Sequence, residues 1–139
     1  MAEQGINSGN RNTFHLFYPP EYATVDTQII QTSSVLKIIR TTMNEVHFLT
    51  NIRTLNASGN IPKGTVLATL PTDCIPATNM VLPLGYYRGS NGTYGMTFMI
   101  IRTSGTIELG EDVTRPSSNI LFYFNGLMYN IQRNIYGGN

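Results

Sequence analysis

The run Val46-His47-Phe48-Leu49-Thr50-Asn51-Ile52-Arg53-Thr54-Leu55 decides the fold class. Val46, Phe48, Thr50, Ile52 and Thr54 fall on one face, and His47, Leu49, Asn51, Arg53 and Leu55 on the other. A period of two bounded by turn residues is the pattern of a β-strand. Just upstream, Val35-Leu36-Lys37-Ile38-Ile39-Arg40 is short and β-branched, and Asn44-Glu45 between the two runs reads as a hairpin turn. Downstream, Ile61-Pro62-Lys63-Gly64-Thr65 leads into Val66-Leu67-Ala68-Thr69-Leu70. Pro62 cannot donate to a ladder and suits a strand entry or edge. Tyr94 to Arg102 predicts a long strand, with Tyr94, Met96, Phe98 and Ile100 opposed to Gly95, Thr97, Met99 and Ile101. Ser104-Gly105 turns that strand into Thr106-Ile107-Glu108-Leu109. Near the end, Ile120-Leu121-Phe122-Tyr123-Phe124 and Leu127-Met128-Tyr129-Asn130-Ile131 flank Asn125-Gly126, a favoured two-residue hairpin turn. No amphipathic stretch of helical period exceeds about two turns. The expectation is all-β: an antiparallel β-sandwich or Greek-key barrel.

The chain has 139 residues, which suits one domain. Charged residues make up 12% of it, against about 25% in an average domain, so Asn, Thr, Ser and Gly carry its solubility. Nine basic and eight acidic residues are spread thinly, for a net charge of +1. Without a basic block there is nothing to neutralise a phosphate backbone, which argues against a nucleic-acid partner. No run approaches the roughly 20 apolar residues of a membrane span, so no membrane insertion is expected. The first ten residues lack the basic start and apolar run of a secretory signal, so synthesis in a cytoplasm is expected. Residues 1–33 read as an N-terminal arm or linker and residues 34–139 as the β-sandwich domain. The first dozen residues are polar, and Pro19-Pro20 stops the apolar run from Phe14 to Tyr18. Such an arm either lies along the domain or docks on another chain.

Enzyme and cofactor motifs are missing from the sequence. His15 and His47 are too few for a His-based metal site, and Cys74 is single, so it reads as a small buried hydrophobe. There is no G-x-S-x-G and no Gly-rich phosphate loop. No cofactor, metal or catalytic residue is expected. Glu108, Glu111 and Asp112 read as a solvated strand end and loop, and nothing in their spacing makes His47, Asp73 and Cys74 a triad. The aromatic residues are more informative: eight tyrosines, six phenylalanines and no tryptophan. Tyr86-Tyr87-Arg88 lies beside the turn Ser90-Asn91-Gly92-Thr93-Tyr94. Tyrosine rings stack on the apolar faces of sugars, while Asn and Arg donors hold hydroxyls. Tyr86, Tyr87, Arg88, Asn91 and Tyr94 are therefore the candidate saccharide-binding residues. The runs 94–102 and 120–124 are apolar on both faces, which predicts an outer cover; a second copy of the chain is the simplest one.

The ordered pieces from Val35 to Leu109 resemble the head modules of bacteriophage tail fibres and baseplates. Val35–Arg40, a short turn and Val46–Leu55 resemble the paired opening strands of that family. Ile61-Pro62-Lys63-Gly64-Thr65-Val66, ending in Leu70-Pro71, resembles its I-P-x-G-T run. Met99 to Leu109 resembles its strand–Gly–strand unit, and Ile120–Phe124 its closing aromatic strand. Cys74-Ile75 departs from the pattern where the family commonly has an aromatic-Arg pair. The resemblance implies a non-enzymatic homotrimeric head on the virion that recognises a host cell-surface saccharide beside other tail proteins. An alternative is a structural virion accessory protein that contacts baseplate, fibre or capsid proteins through its N-terminal arm. A depolymerase using Asp73, Glu108, Glu111 and Asp112 is a third.

Overall fold

The computed structural model describes residues 16–89 and 92–132, the side chains of residues 116 and 117 excepted. In chain order the strands are β1 (Glu21–Val25), β2 (Leu36–Arg40), β3 (Glu45–Phe48), β4 (Ile52–Arg53), β5 (Ala57–Ile61) and β6 (Val66–Thr69). After a short 3-10 helix, Thr72–Cys74, come β7 (Met80–Arg88), β8 (Thr93–Ile101), β9 (Thr106–Leu109), β10 (Val113–Ser118), β11 (Ile120–Tyr123) and β12 (Met128–Asn130). Ten strands form one sheet in the order β12-β3-β2-β1-β6-β9-β8-β7-β11-β4, while β5 and β10 form a separate ribbon. The paired strands are antiparallel throughout. The molecule is all-β, and its large sheet is strongly curled into a half-barrel. Among the described residues no helix is long and apolar enough to cross a membrane.

The alternation from Val46 to Thr54 has the faces expected of it: Val46, Phe48, Ile52 and Thr54 are buried. It is not one strand. Residues 49–51 form a corner, so β3 and β4 sit near opposite ends of the sheet. The turn at Asn125-Gly126 is present, with Gly126 at φ 95°, but it does not close a hairpin. β11 pairs with β7 and β4, whereas β12 pairs with β3. The Phe48 amide donates to the Leu127 carbonyl (2.9 Å), and the Gly126 amide donates to the Phe48 carbonyl (3.1 Å). The Asn125 amide donates to Asn51 Oδ1 at 2.9 Å. Residues 45–53 and 120–130 thus run as one bent antiparallel pair that ties the two ends of the curled sheet. Chains that change direction at such corners let one strand serve both walls.

The expected boundary after residue 33 does not coincide with a break in the structure. β1 lies between β2 and β6, Ala23 and Ile30 are buried, and Ile30 bridges Thr54. Pro19-Pro20 ends the preceding run, but Glu21–Val25 then finds ladder partners on both edges. Residues 16–33 are part of the sheet domain, and residues 1–15 lie outside the described residues.

The interior is filled by the inward row of each strand. Phe48 packs edge-on against Phe124 (5.2 Å between centroids) and tilted against Tyr129 (5.8 Å). Leu36, Ile38, Leu67, Leu84, Met99, Ile101 and Ile107 are fully buried around them; each such side chain contributes about 1.5–3 kcal/mol over an exposed one. The β7–β8 hairpin turns Leu84, Tyr86, Thr97, Met99 and Ile101 inward. Its outward cross-strand pairs are Val81·Ile100, Pro83·Phe98, Gly85·Met96 and Tyr87·Tyr94. None carries a charge. Val81 and Met96 are 63% and 68% exposed in the single chain.

Candidate functional site

Three strands bring three tyrosines together on the outer wall. Tyr87 and Tyr94 are cross-strand partners on β7 and β8. Tyr123 comes from β11, opposite Gly85. A Cβ on Gly85 would make ordinary contact with Met96 Sδ (3.7 Å) and Tyr123 Cδ2 (3.9 Å). With no side chain on β7 at that level, a β11 ring reaches across to a β8 ring. Tyr87 and Tyr94 lie 4.8 Å apart, tilted by 54°; Tyr94 and Tyr123 lie 6.4 Å apart and are nearly parallel, at 23°. Tyr94 is nevertheless 73% exposed. Burial foremost, then the neighbouring Tyr94 and Tyr87, raises the Tyr123 hydroxyl above its usual range, with Arg53 opposing. That hydroxyl stays protonated at neutral pH.

Two of the five expected site residues, Tyr87 and Tyr94, meet on this wall. Tyr86 does not, and its expected role is corrected. It is 7% exposed, faces inward, and packs edge-on against Phe122 at 6.2 Å. Its ring lies over Gly95, where an added Cβ would come within 2.3 Å. Arg88 turns back from the wall: its guanidinium lies 4.9 Å from the Tyr86 ring centroid, Nη2 donates to Tyr86 Oη (3.0 Å), and Nε donates to the Thr114 carbonyl (3.1 Å). Asn91 lies outside the described residues. Tyr123 and Arg53 are the neighbours that the sequence reading missed. Tyr123 sits at an outward position of a recognised strand, but only the β7–β11 register places it beside Tyr94.

Beside the rings runs a chain of polar groups. Arg53 Nη1 donates to Asn119 Oδ1 (2.8 Å), and Asn119 Nδ2 donates to Asn56 Oδ1 (2.9 Å). Arg115 Nη1 donates to the Leu55 carbonyl (3.3 Å). Arg115 Nε is buried with no partner.

The titratable residues elsewhere are dispersed. Glu108 accepts from Arg102 (3.2 Å) and Thr106 (2.9 Å), and Glu111 from Thr97 (2.9 Å). Asp112 accepts from the Lys63 amide (2.7 Å) and from Asn60 (2.9 Å), which holds its carboxyl below the usual range. His47 bonds to Glu45 (3.2 Å), not to Asp73. Glu21, Asp73 and Cys74 do offer ligand atoms within 4.8 Å of one another. Against a cation there, Arg40 already holds Asp73 at 3.4 Å. Burial foremost, then Asp73 and Glu21, pushes the Cys74 thiol up to about 12, and a thiol must lose its proton to bind a metal.

No family model matches the chain, and no curated protein is significantly similar to it.

Proposed function

We propose that this chain is a bacteriophage virion protein of the tail fibre or baseplate, a homotrimer whose head binds a host cell-surface saccharide on the outer wall of β7, β8 and β11. The observation that carries the reading is Tyr94, an exposed ring that rests against Tyr87 and Tyr123. A braced aromatic ring gives a sugar face an apolar surface at little entropic cost, since nothing must be ordered on binding. The neighbouring Arg53 and Asn119 supply polar atoms to fix orientation. Each site is weak alone, and a trimer multiplies weak sites into useful avidity. The ring does not react, so the activity is recognition.

Tyr94→Ala tests this directly, because an exposed ring can be removed without opening the core. Binding of the fluorescently labelled protein to host cells should fall by at least about tenfold, with an unchanged amide NMR spectrum away from the wall. Wild-type binding by this variant would overturn the proposal.

The accessory-protein reading draws support from the uncharged outer row of β7 and β8, a kind of surface that protein partners cover. If another tail protein docks through the N-terminal arm, deleting residues 1–15 abolishes incorporation into particles while the head stays folded. Intact incorporation counts against it.

A further inference from the structure

The outer row of β7 has one position without a side chain. Gly85 stands between Pro83 and Tyr87 along the strand and pairs with Met96 on β8 and Tyr123 on β11. All four neighbours carry side chains on the same outer surface. β7 is flanked on both edges, yet Gly85 is partly exposed, so solvent reaches it through the outer face. A Cβ built there meets nothing nearer than Met96 Sδ at 3.7 Å, with the Gly95 carbonyl oxygen and Tyr123 Cδ2 at 3.9 Å. These are ordinary van der Waals distances. Above Gly85 there is room for about one methyl group, in a notch bordered by a thioether and the side of an aromatic ring.

The notch belongs to the tyrosine wall. Tyr123 is shared between them: its Cδ2 borders the notch, and its ring lies 6.4 Å from Tyr94 and nearly parallel to it. Met96 is two residues from Tyr94 on the same face of β8, about 7 Å along the strand. A sugar ring seated on Tyr94 therefore brings a substituent within reach of the notch. The lining selects that substituent. A hydroxyl pressed against sulfur and ring carbon gives up hydrogen bonds to water for little return, whereas a methyl group gains contact on both sides.

We infer that Gly85 sets the specificity of the wall, so that the saccharide recognised carries a methyl-ended substituent, packed in the notch between Met96 and Tyr123 while the sugar face stacks on Tyr94. This inference rests on the saccharide reading and narrows it to a chemical class. An acetamido group and the methyl of a 6-deoxy sugar both supply that chemistry.

The test is an NMR titration of the full chain with three probes: glucose, N-acetylglucosamine and 6-deoxyglucose. The signals followed are the Met96 methyl group and the Tyr94 ring. Glucose should shift Tyr94 alone. At least one methyl-bearing sugar should shift both and bind about fourfold more tightly than glucose, the worth of one buried methyl group; which one does so separates acetamido from deoxy. Gly85→Ala fills the notch with a Cβ that its neighbours accommodate. Met96→Ala removes one border of the notch at a side chain that is 68% exposed. Both variants should keep the wild-type amide spectrum away from the wall and lose the preference for the methyl-bearing sugar. Tyr94 shifts with equal affinity for all three probes, or a preference that survives either substitution, overturns the inference and leaves the saccharide reading standing. No Tyr94 shift with any probe overturns both.

Discussion

Among the described residues two arginines lie over tyrosine rings, Arg40 over Tyr18 at 3.9 Å and Arg88 near Tyr86 at 4.9 Å. Around Arg40 opposite charges are matched and exceeded. Asp73 arrives on the 3-10 helix to pair with it, and Glu21 and the Cys74 thiol stand close by, leaving acid in excess. Around Arg88 they are not matched. Its partners are a phenol and a carbonyl. The same local stack is therefore used in two electrostatic states. The first is ion-paired and acts as a clasp between β2 and the 3-10 helix, with Arg40 Nε left buried without a partner. The second has no carboxylate within ion-pair distance among the described residues.

The largest blow to this contrast is Gly95→Ala. The new methyl would collide with the Tyr86 ring that supports Arg88, and overpacking of this kind costs about 3 kcal/mol. Urea unfolding should show the loss, and a wild-type midpoint would mean the ring is not seated there. On the Arg40 side, Tyr129→Phe is expected to cost about 1–2 kcal/mol, because the Tyr129 hydroxyl donates to the buried Cys74 carbonyl at 2.6 Å. The smallest effect is a gain. Burial foremost, then hydrogen bonding and repulsion from Asp73, raises the Glu21 carboxyl above 4.5, with Arg40 opposing. A carboxyl raised in this way binds its proton more tightly in the folded chain than in the unfolded one. Its contribution is present at low pH and lost as pH rises through the folded value. Glu21→Gln should therefore match the wild type in melting temperature near pH 4 and exceed it at pH 7.5, by less than about 1 kcal/mol. Coincident melting curves at both pH values would show that the acid excess around Arg40 is not real.

Local pattern made much of the fold legible. The inward rows of β3 and β4 follow from alternation alone, since a period of two needs no knowledge of partners; for β8, apolar on both faces, alternation separates the two rows without choosing the inward one. Partner choice was not legible. Asn125-Gly126 has the chemistry of a hairpin turn, yet the strands it joins belong to different neighbours. Glu21–Val25 looks like a weak tail because its burial is lent by β2 and β6. The site divides the same way. Tyr87 and Tyr94 are close in sequence and were found. Tyr123 and Arg53 reach the wall only through registers that pair residues far apart in the chain, and Tyr86 was misassigned because adjacent strand residues face opposite sides of the sheet.

The bent pair has a consequence for how the chain folds. It joins Val46 to Tyr129 and Ile52 to Phe122, contacts between residues half the chain or more apart. Loop-closure entropy must be met before such contacts form, so the knot of the half-barrel is tied late. Until β11 and β12 emerge from the ribosome, the outer edges of β3 and β7 stay open to any other strand that arrives first. Assembly of this protein at high local concentration is thus a race between closing on itself and pairing with a neighbour.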